Sequence, residues 1–163
     1  MKGRYWVDAN SFIWGAREPY PMPGAMAYWN WFEKMVAAGK ITSHKQAINE
    51  VLAGEKKGQV EEIVSWVKTR QGKLIDSAPD SQECQALVGE LCEFSYNKFG
   101  AAKTAEFTKG ADLWLIARAK LDDGAVVTQE SDKKLVRIPT VCAQFNVRYR
   151  TLFQMNKELK IDL

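Results

Sequence analysis

The hydrophobic residues of this chain fall into short continuous runs that alternate with longer stretches in which apolar positions recur every three or four residues. The short runs at residues 4–7, 40–42 and 125–128 predict buried strands, because a strand covered on both faces needs no polar side. The longer stretches have the period of amphipathic helices. We predict helices at residues 11–17, 25–38, 44–53, 59–70 and 81–99, another from near residue 111, and a terminal helix after residue 151.

Polar residues and prolines mark the boundaries of these elements. Three pairs have the spacing of a capping box, in which a side chain satisfies the first free N–H groups of a helix: Ser43 with Gln46, Asp80 with Glu83, and Thr151 with Gln154. Three prolines within residues 18–24 predict a rigid loop. Weaker extended segments are predicted at residues 74–75, 136–138 and 147–149, with Pro139 in the first turn of a short helix.

Short apolar strands that alternate with helices predict an α/β fold, with a mainly parallel sheet covered on both faces. The chain has 163 residues, of which 46% are hydrophobic, and it contains no repeat or long linker. We therefore expect one domain that spans residues 1–163.

Composition excludes several classes of protein. The net charge of +3 is too small to predict a general nucleic-acid-binding protein, although it is compatible with a local basic groove. The chain has three cysteines without CxxC spacing, which argues against a disulfide framework and against a zinc site. Because no secretory signal or apolar span is visible either, we expect a cytoplasmic protein that does not enter a membrane.

Four acidic residues lie where strands end or where helices present one face: Asp8, Glu50, Asp112 and Glu130. Carboxylates from distant parts of an α/β chain can meet at the carboxyl end of the sheet. Gathered there, they would repel one another unless a divalent cation joined them. Such a cluster is typical of metal-assisted phosphodiester hydrolysis.

The residues around these acids resemble the motifs of PIN domains. Each PIN motif carries one conserved acid of the family. Asp-Ala-Asn-Ser-Phe-Ile at residues 8–13 resembles the first motif, and Ala-Asp-Leu-Trp-Leu-Ile-Ala at residues 111–117 resembles the third, an Asp at a helix start. Val-Val-Thr-Gln-Glu at residues 126–130 resembles the last motif. Glu50 fits the second motif. The loop at residues 20–23 and the segment at residues 137–142 resemble, more specifically, the PIN-like family DUF4411 over nearly the whole chain.

This resemblance implies a three-layer α/β/α sandwich and a Mg²⁺- or Mn²⁺-dependent endoribonuclease that hydrolyses phosphodiester bonds in RNA. It also implies the toxin of a type II toxin–antitoxin pair, with an antitoxin protein as partner and with a homodimer as a common state. Asp8 and Asp112 are expected to bind metal directly. Glu50 and Glu130 are expected to bind a second ion or to act through water.

The chain departs from the PIN pattern at the fourth acid. Glu130 stands where most PIN domains have Asp, and Gln129 replaces the common Asn. Asp132, two residues later, is a competing candidate for this position.

Three other groups complete the predicted site. Asn10 and Thr128 are expected to orient water or a phosphate oxygen. Lys133 and Lys134 follow the fourth acid and are expected to hold a substrate phosphate.

Other functions compete with this interpretation. A catalytically inactive PIN-like module that binds RNA or protein is the main alternative, and the substitution at Glu130 favours it. The same metal chemistry would also suit DNA cleavage. A phosphotransferase of the haloacid dehalogenase type needs a second Asp where this chain has Asn10.

His44 is the only histidine, so we expect it to cap a helix. Trp14 and Trp31 lie off the clearest apolar stripes, where they could pack under a loop or stack on bases.

Overall fold

A short parallel β-sheet forms the centre of the structure, a computed structural model that describes residues 3–54, 61–129 and 138–163. Its strands are β1 (Tyr5–Val7), β2 (Ile41–Thr42), β3 (Ala125–Val127) and β4 (Arg148–Arg150). They lie in the order β2-β1-β3-β4, and every neighbouring pair is parallel. Trp6 therefore lies beside Thr42 on one side and Val126 on the other.

Nine helices occur in the described part of the chain. They are α1 (Ala9–Arg17), α2 (Met26–Ala37), α3 (Lys45–Leu52), α4 (Glu62–Leu74), α5 (Gln82–Phe99), α6 (Ala101–Lys109), α7 (Asp112–Leu121), α8 (Ile138–Phe145) and α9 (Leu152–Glu158).

The helices cover both faces of the sheet, because side chains alternate between its faces along each strand. Val7 and Val127 belong to one apolar core, together with residues of α1, α2, α3, α4 and α9. Trp6 and Val126 belong to a second core, mainly with residues of α5, α7 and α8. The predicted α/β class and the three-layer α/β/α arrangement with a parallel sheet are therefore confirmed.

Two of the predicted helix starts need correction. The cap of α3 is His44, whose Nδ1 accepts a hydrogen bond of 3.1 Å from the N–H of Gln46. The cap of α5 is Ser81 instead of Asp80. Ser43 does not cap α3, because its hydroxyl donates to the carbonyl oxygen of Val7 at 2.6 Å. The predicted capping box of α9 is confirmed.

Several element boundaries also differ from the prediction. The helix α6 was not predicted, and α4 starts at Glu62 and continues past Gly72 to Leu74. Ile75 makes an isolated parallel bridge with Ser43. Ile138 is the first residue of α8 instead of a strand residue, and residues 136–137 lie outside the described part of the chain.

Buried charges hold the amino end of the sheet together. Two guanidinium groups pack on the Trp6 ring, with the Cζ atoms of Arg4 and Arg118 each 4.9 Å from its centroid. The indole N–H of Trp6 donates to Asp122 at 3.1 Å. Arg4 also pairs with Asp122, at 3.0 Å. This cluster joins the start of β1 to the residue that follows α7.

The loop after α4 completes the cluster through Asp76. Its carboxylate accepts from Arg4 at 2.5 Å and also pairs with Arg118. Burial acts to raise the pKa of Asp76, but hydrogen bonds from Arg4 and from the Ala78 N–H, with the charge of Arg118, lower it overall. The folded state therefore binds the ionised form of this carboxyl group more tightly than the unfolded state does.

No helix in the described ranges is long and apolar enough to cross a membrane.

Replacing Asp76 by Asn should lower the free energy of unfolding by about 3 kcal/mol near pH 7, because two nearly buried arginines lose a charged partner. The pKa of Asp76 is lowered by folding, so its contribution is fully present above its unfolded pKa and is lost as the pH falls through its folded pKa. Urea unfolding of both proteins should therefore show a constant difference above about pH 5, which narrows as the pH falls below about 4, the unfolded pKa of an Asp.

Asp123→Asn is the matched control, because the Asp123 side chain is 90% exposed and the chemical change is the same. Equal losses of stability in the two variants would contradict a special role for the buried cluster.

Candidate functional site

Asp8 lies at the carboxyl end of β1, one of the two inner strands of the sheet. Its N–H donates to the carbonyl oxygen of Val127 at 3.0 Å, which continues the pairing with β3 by one residue. Its Oδ1 accepts from the N–H of Ser11 at 2.7 Å and so caps α1. The side chain is only 4% exposed. Asp8 thus has a clear structural role at the same place where the sequence predicts a metal ligand.

The structure brings Glu50 to the start of α7, beside Asp112. Glu50 lies on α3, and its Oε1 accepts a hydrogen bond of 2.8 Å from the N–H of Ala111. Asp112 is the next residue and the first of α7. Glu50 and Ala111 lie 61 residues apart in sequence, so this tertiary contact brings one predicted acid to the residue next to another.

Gly110 makes room for this contact. A Cβ atom built on Gly110 would lie 2.6 Å from Oε1 of Glu50, closer than real Cβ atoms come to an oxygen. Any residue with a side chain at this position would therefore displace the Glu50 carboxylate. The sequence shows Gly110 only as a break between helices, and it gives no sign of the partner 60 residues earlier.

The course of α7 places its start at the carboxyl end of the sheet. A tight turn at residues 122–124 joins the end of α7 to the start of β3. Because α7 runs back along the sheet before that turn, its first residue lies at the same end as Asp8 and Thr128. Asp8, Glu50 and Asp112 thus belong to one end of the fold.

The predicted supporting residues differ in their access to solvent. Asn10 is exposed in the first turn of α1, whereas Thr128 is 1% exposed. Gln129 is directed to α9, because its Oε1 accepts from the N–H of Leu152 at 2.8 Å. Of the uncharged candidates, Asn10 is therefore the better placed to meet a substrate.

The remaining predicted residues, Glu130, Asp132, Lys133 and Lys134, lie outside the described part of the chain. Within residues 3–54, 61–129 and 138–163, no three Asp, Glu, His or Cys side chains form a group that could hold a metal ion. The choice between Glu130 and Asp132 as the fourth acid, and the phosphate contacts of the two lysines, stay predictions.

Two serine hydroxyls at this end of the sheet were not singled out from the sequence. Ser43 donates to the carbonyl oxygen of Val7 at 2.6 Å, and Ser11 donates to that of Val127 at 3.3 Å. Both carbonyls belong to the last residues of strands: Ser43 gives that of Val7 a side-chain donor, and Ser11 adds a second donor to that of Val127, which already accepts from the N–H of Asp8. The only local signal is a serine just after a strand or in the first turn of the next helix.

His44 is engaged in the fold, as the sequence predicts. Its Nδ1 accepts from Gln46, so Nε2 carries the proton and donates to Asp80 at 3.1 Å. The ring stacks on Trp114, with centroids 5.4 Å apart. Burial acts to raise the pKa of Asp80, but the hydrogen bonds from His44 and Arg118 lower it overall. These contacts make His44 a structural residue.

Gly110→Ala should remove the hydrogen bond from Ala111 to Glu50 without unfolding the chain, because the exposed Glu50 carboxylate can swing into solvent. In the natural chain, Glu50→Ala should cost about 1 kcal/mol, the usual contribution of a side chain that caps a helix start. In the Gly110→Ala chain, Glu50→Ala should leave the free energy of unfolding almost unchanged, because the hydrogen bond is already lost. Urea unfolding of the four proteins in this double-mutant cycle measures the difference.

Gly89→Ala is the control, because a Cβ atom there meets nothing within 4 Å. The cost of Glu50→Ala should be unchanged in that background. An equal cost in the Gly110→Ala background would mean that Glu50 is not held by the start of α7.

Comparison with known protein families identifies one match. The family DUF4411, described as a domain of unknown function, matches residues 5–163. A comparison with curated proteins finds no match. The match covers both cores, all four strands and the three acids described above. The chain therefore belongs to the family DUF4411.

Proposed function

We propose that this chain is a metal-dependent endoribonuclease whose site lies at the carboxyl end of the sheet. The observation that carries the proposal is the contact between Glu50 and the start of α7, which puts two acidic residues at one helix end. Asp8, at the end of β1, supplies a third acid from the same end of the fold. The resemblance to PIN domains at these residues supports the same activity.

The donor atoms suit Mg²⁺ or Mn²⁺. Both ions prefer oxygen ligands, and Mg²⁺ keeps several waters, so one or two carboxylates are enough to bind it. Asp8 and Asp112 would bind the ion, and Glu50 would act at a second ion or through water. The described residues give Oε2 of Glu50 no hydrogen-bond partner, so this oxygen is open to solvent. Glu130 or Asp132 would be the fourth acid.

When bound, the ion would increase the acidity of a water molecule and so allow hydrolysis near neutral pH. The side chains of this chain would prepare the site. The Ala111 N–H fixes the direction of the Glu50 carboxylate, and the Ser11 N–H fixes that of Asp8. Asn10 would hold a water or a phosphate oxygen from its exposed position, and Lys133 and Lys134 would hold substrate phosphate.

We further propose that the enzyme acts in the cytoplasm as the toxin of a type II toxin–antitoxin pair. Its substrate would be RNA, its inhibitor an antitoxin protein that covers the acids, and its working form a homodimer. These proposals come from the PIN resemblance, and they depend on the nuclease activity.

A catalytically inactive module that binds RNA or protein is the alternative. One observation favours it: the described residues contain no group of three side chains that could hold a metal ion. In that case Asp8 and Glu50 would serve only as caps of helix starts, as their contacts with Ser11 and Ala111 allow.

Asp112→Asn should lower the rate of RNA cleavage at least about 100-fold, the effect usual when a group that stabilises transition-state charge is removed. The thermal midpoint should stay equal or rise slightly, because the change relieves repulsion from Glu50. The assay uses structured and single-stranded RNA with matched single-stranded DNA, in Mg²⁺, in Mn²⁺ and in EDTA. Calorimetry of Mn²⁺ binding gives a second readout that does not depend on turnover.

The Asp123→Asn variant is the control, because its changed residue lies in the turn after the opposite end of α7. It should cleave RNA as fast as the natural chain does. Absence of cutting by the natural chain together with absence of metal binding would reject the nuclease and favour the binding module. A large drop in the melting temperature of Asp112→Asn would assign Asp112 a structural role.

A further inference from the structure

One large aromatic side chain near the candidate site is open to solvent. Phe153 is the second residue of α9 and is 52% exposed. The residue before it, Leu152, donates its N–H to Gln129, which lies just beyond the end of β3. The start of α9 therefore lies at the carboxyl end of the sheet, just after β4, and β4 is two strand spacings, or about 10 Å, from the strand that carries Asp8.

Phe153 is held by other rings. Its ring makes edge contacts with Trp14, at a centroid distance of 5.7 Å, and with Tyr20, at 6.3 Å. We call Trp14, Tyr20 and Phe153 the aromatic patch. Trp14 and Phe153 thus form a pair across α1 and α9, which explains why Trp14 lies off the apolar stripe of its helix.

The base of the aromatic patch is fixed by stacking and hydrogen bonds. Tyr20 stacks on Tyr28 with ring centroids 3.6 Å apart and planes only 7° from parallel. Asn156 of α9 joins both rings, because its Oδ1 accepts from the Tyr28 hydroxyl at 3.0 Å and its Nδ2 donates to the Tyr20 hydroxyl at 3.1 Å. A ligand that stacks on Phe153 would therefore meet a surface that is already ordered, which lowers the entropic cost of binding.

A positive charge lies beside the patch. Lys157 is four residues after Phe153 on α9, so the two side chains share one face of the helix. Lys157 is exposed and forms no ion pair with any described residue. Proteins that bind single strands combine aromatic rings with nearby cations, since a ring stacks on a base and a cation neutralises a phosphate.

We propose that the aromatic patch binds single-stranded RNA by stacking a nucleobase on Phe153, with Lys157 at the adjacent phosphate. The substrate class rests on the proposed nuclease function. A single strand is required because the faces of bases within a duplex are covered by their neighbours. The aromatic patch would then hold the RNA strand on one side of the cleavage point, while the acids act on the phosphodiester bond that is cut.

The test compares binding of two labelled oligonucleotides of equal length and charge, oligouridine and its abasic counterpart, by fluorescence anisotropy. The full chain carries Asp112→Asn so that the RNA is not cut, and Mg²⁺ is present. Adding Phe153→Ala should weaken binding of oligouridine about 5- to 150-fold, the range for loss of one stacked base. Binding of the abasic strand should not change, and Phe153→Tyr should restore the affinity for oligouridine.

Tyr96→Ala is the matched control, because Tyr96 is an aromatic residue of α5 with a similar exposure of 55%. It should leave both affinities unchanged. The thermal midpoint of Phe153→Ala checks that the chain remains folded, which its exposure leads us to expect.

The outcomes separate this proposal from the nuclease proposal. The natural chain could cut RNA while Phe153→Ala binds oligouridine as tightly as the chain without that change. This result would overturn the stacking proposal and leave the nuclease proposal in place. Binding that depends on Phe153 in a chain that does not cut would support stacking and overturn the nuclease. Unchanged RNA affinity, with a shift from dimer to monomer in sedimentation, would make the patch an interface between two copies and overturn stacking.

Discussion

The packing of Arg4 and Arg118 on the ring of Trp6 is the interaction on which the rest of the fold depends. Trp6 is fully buried in the strand β1, and two guanidinium groups lie on its ring. Charges near a core are costly unless each has a partner, and Asp122 and Asp76 supply those partners. The cluster therefore has to form as a unit, which ties β1, the loop after α4 and the end of α7 to one another.

This cluster also determines where the acids lie. Arg118 and Asp122 fix the last turn of α7 at the amino end of the sheet, and a helix of ten residues is about 15 Å long. Its first residue must then lie at the other end of the sheet, where β1 ends in Asp8. The stability of one end of the molecule is thus the condition for bringing Asp112 towards Asp8 at the other.

The sequence predicts the parts of this arrangement that depend on local chemistry. The apolar run before Asp8, the start of α7 at Asp112 and the capping box of Thr151 are each visible within a few residues, and each is confirmed as a local structure. The helix α6 was missed although its bounds have a local signal, since Gly100 precedes its first residue and Gly110 follows its last.

Long-range contacts account for the other errors. Ser43 has the spacing of a cap, but the carbonyl oxygen of Val7 lies closer to its hydroxyl, so the neighbouring His44 takes the role of cap. The room that Gly110 leaves for Glu50 is equally invisible, because the two residues meet only after α3 and α7 have packed. A sequence pattern can show that a residue is able to donate or accept, but the partner that it finds is a property of the fold.

The charges at the start of α7 bear on whether these acids serve the fold alone. A helix start carries about half a unit of positive charge, which one carboxylate is enough to neutralise. Glu50 and Asp112 bring two carboxyl groups to this place, and Asp8 adds another at the same end of the sheet. Like charges near one helix end repel one another, so a second carboxylate adds little to the stability of the helix itself. A divalent cation would offset that repulsion, and this is the electrostatic reason why the proposed function places a metal ion at this end of the sheet.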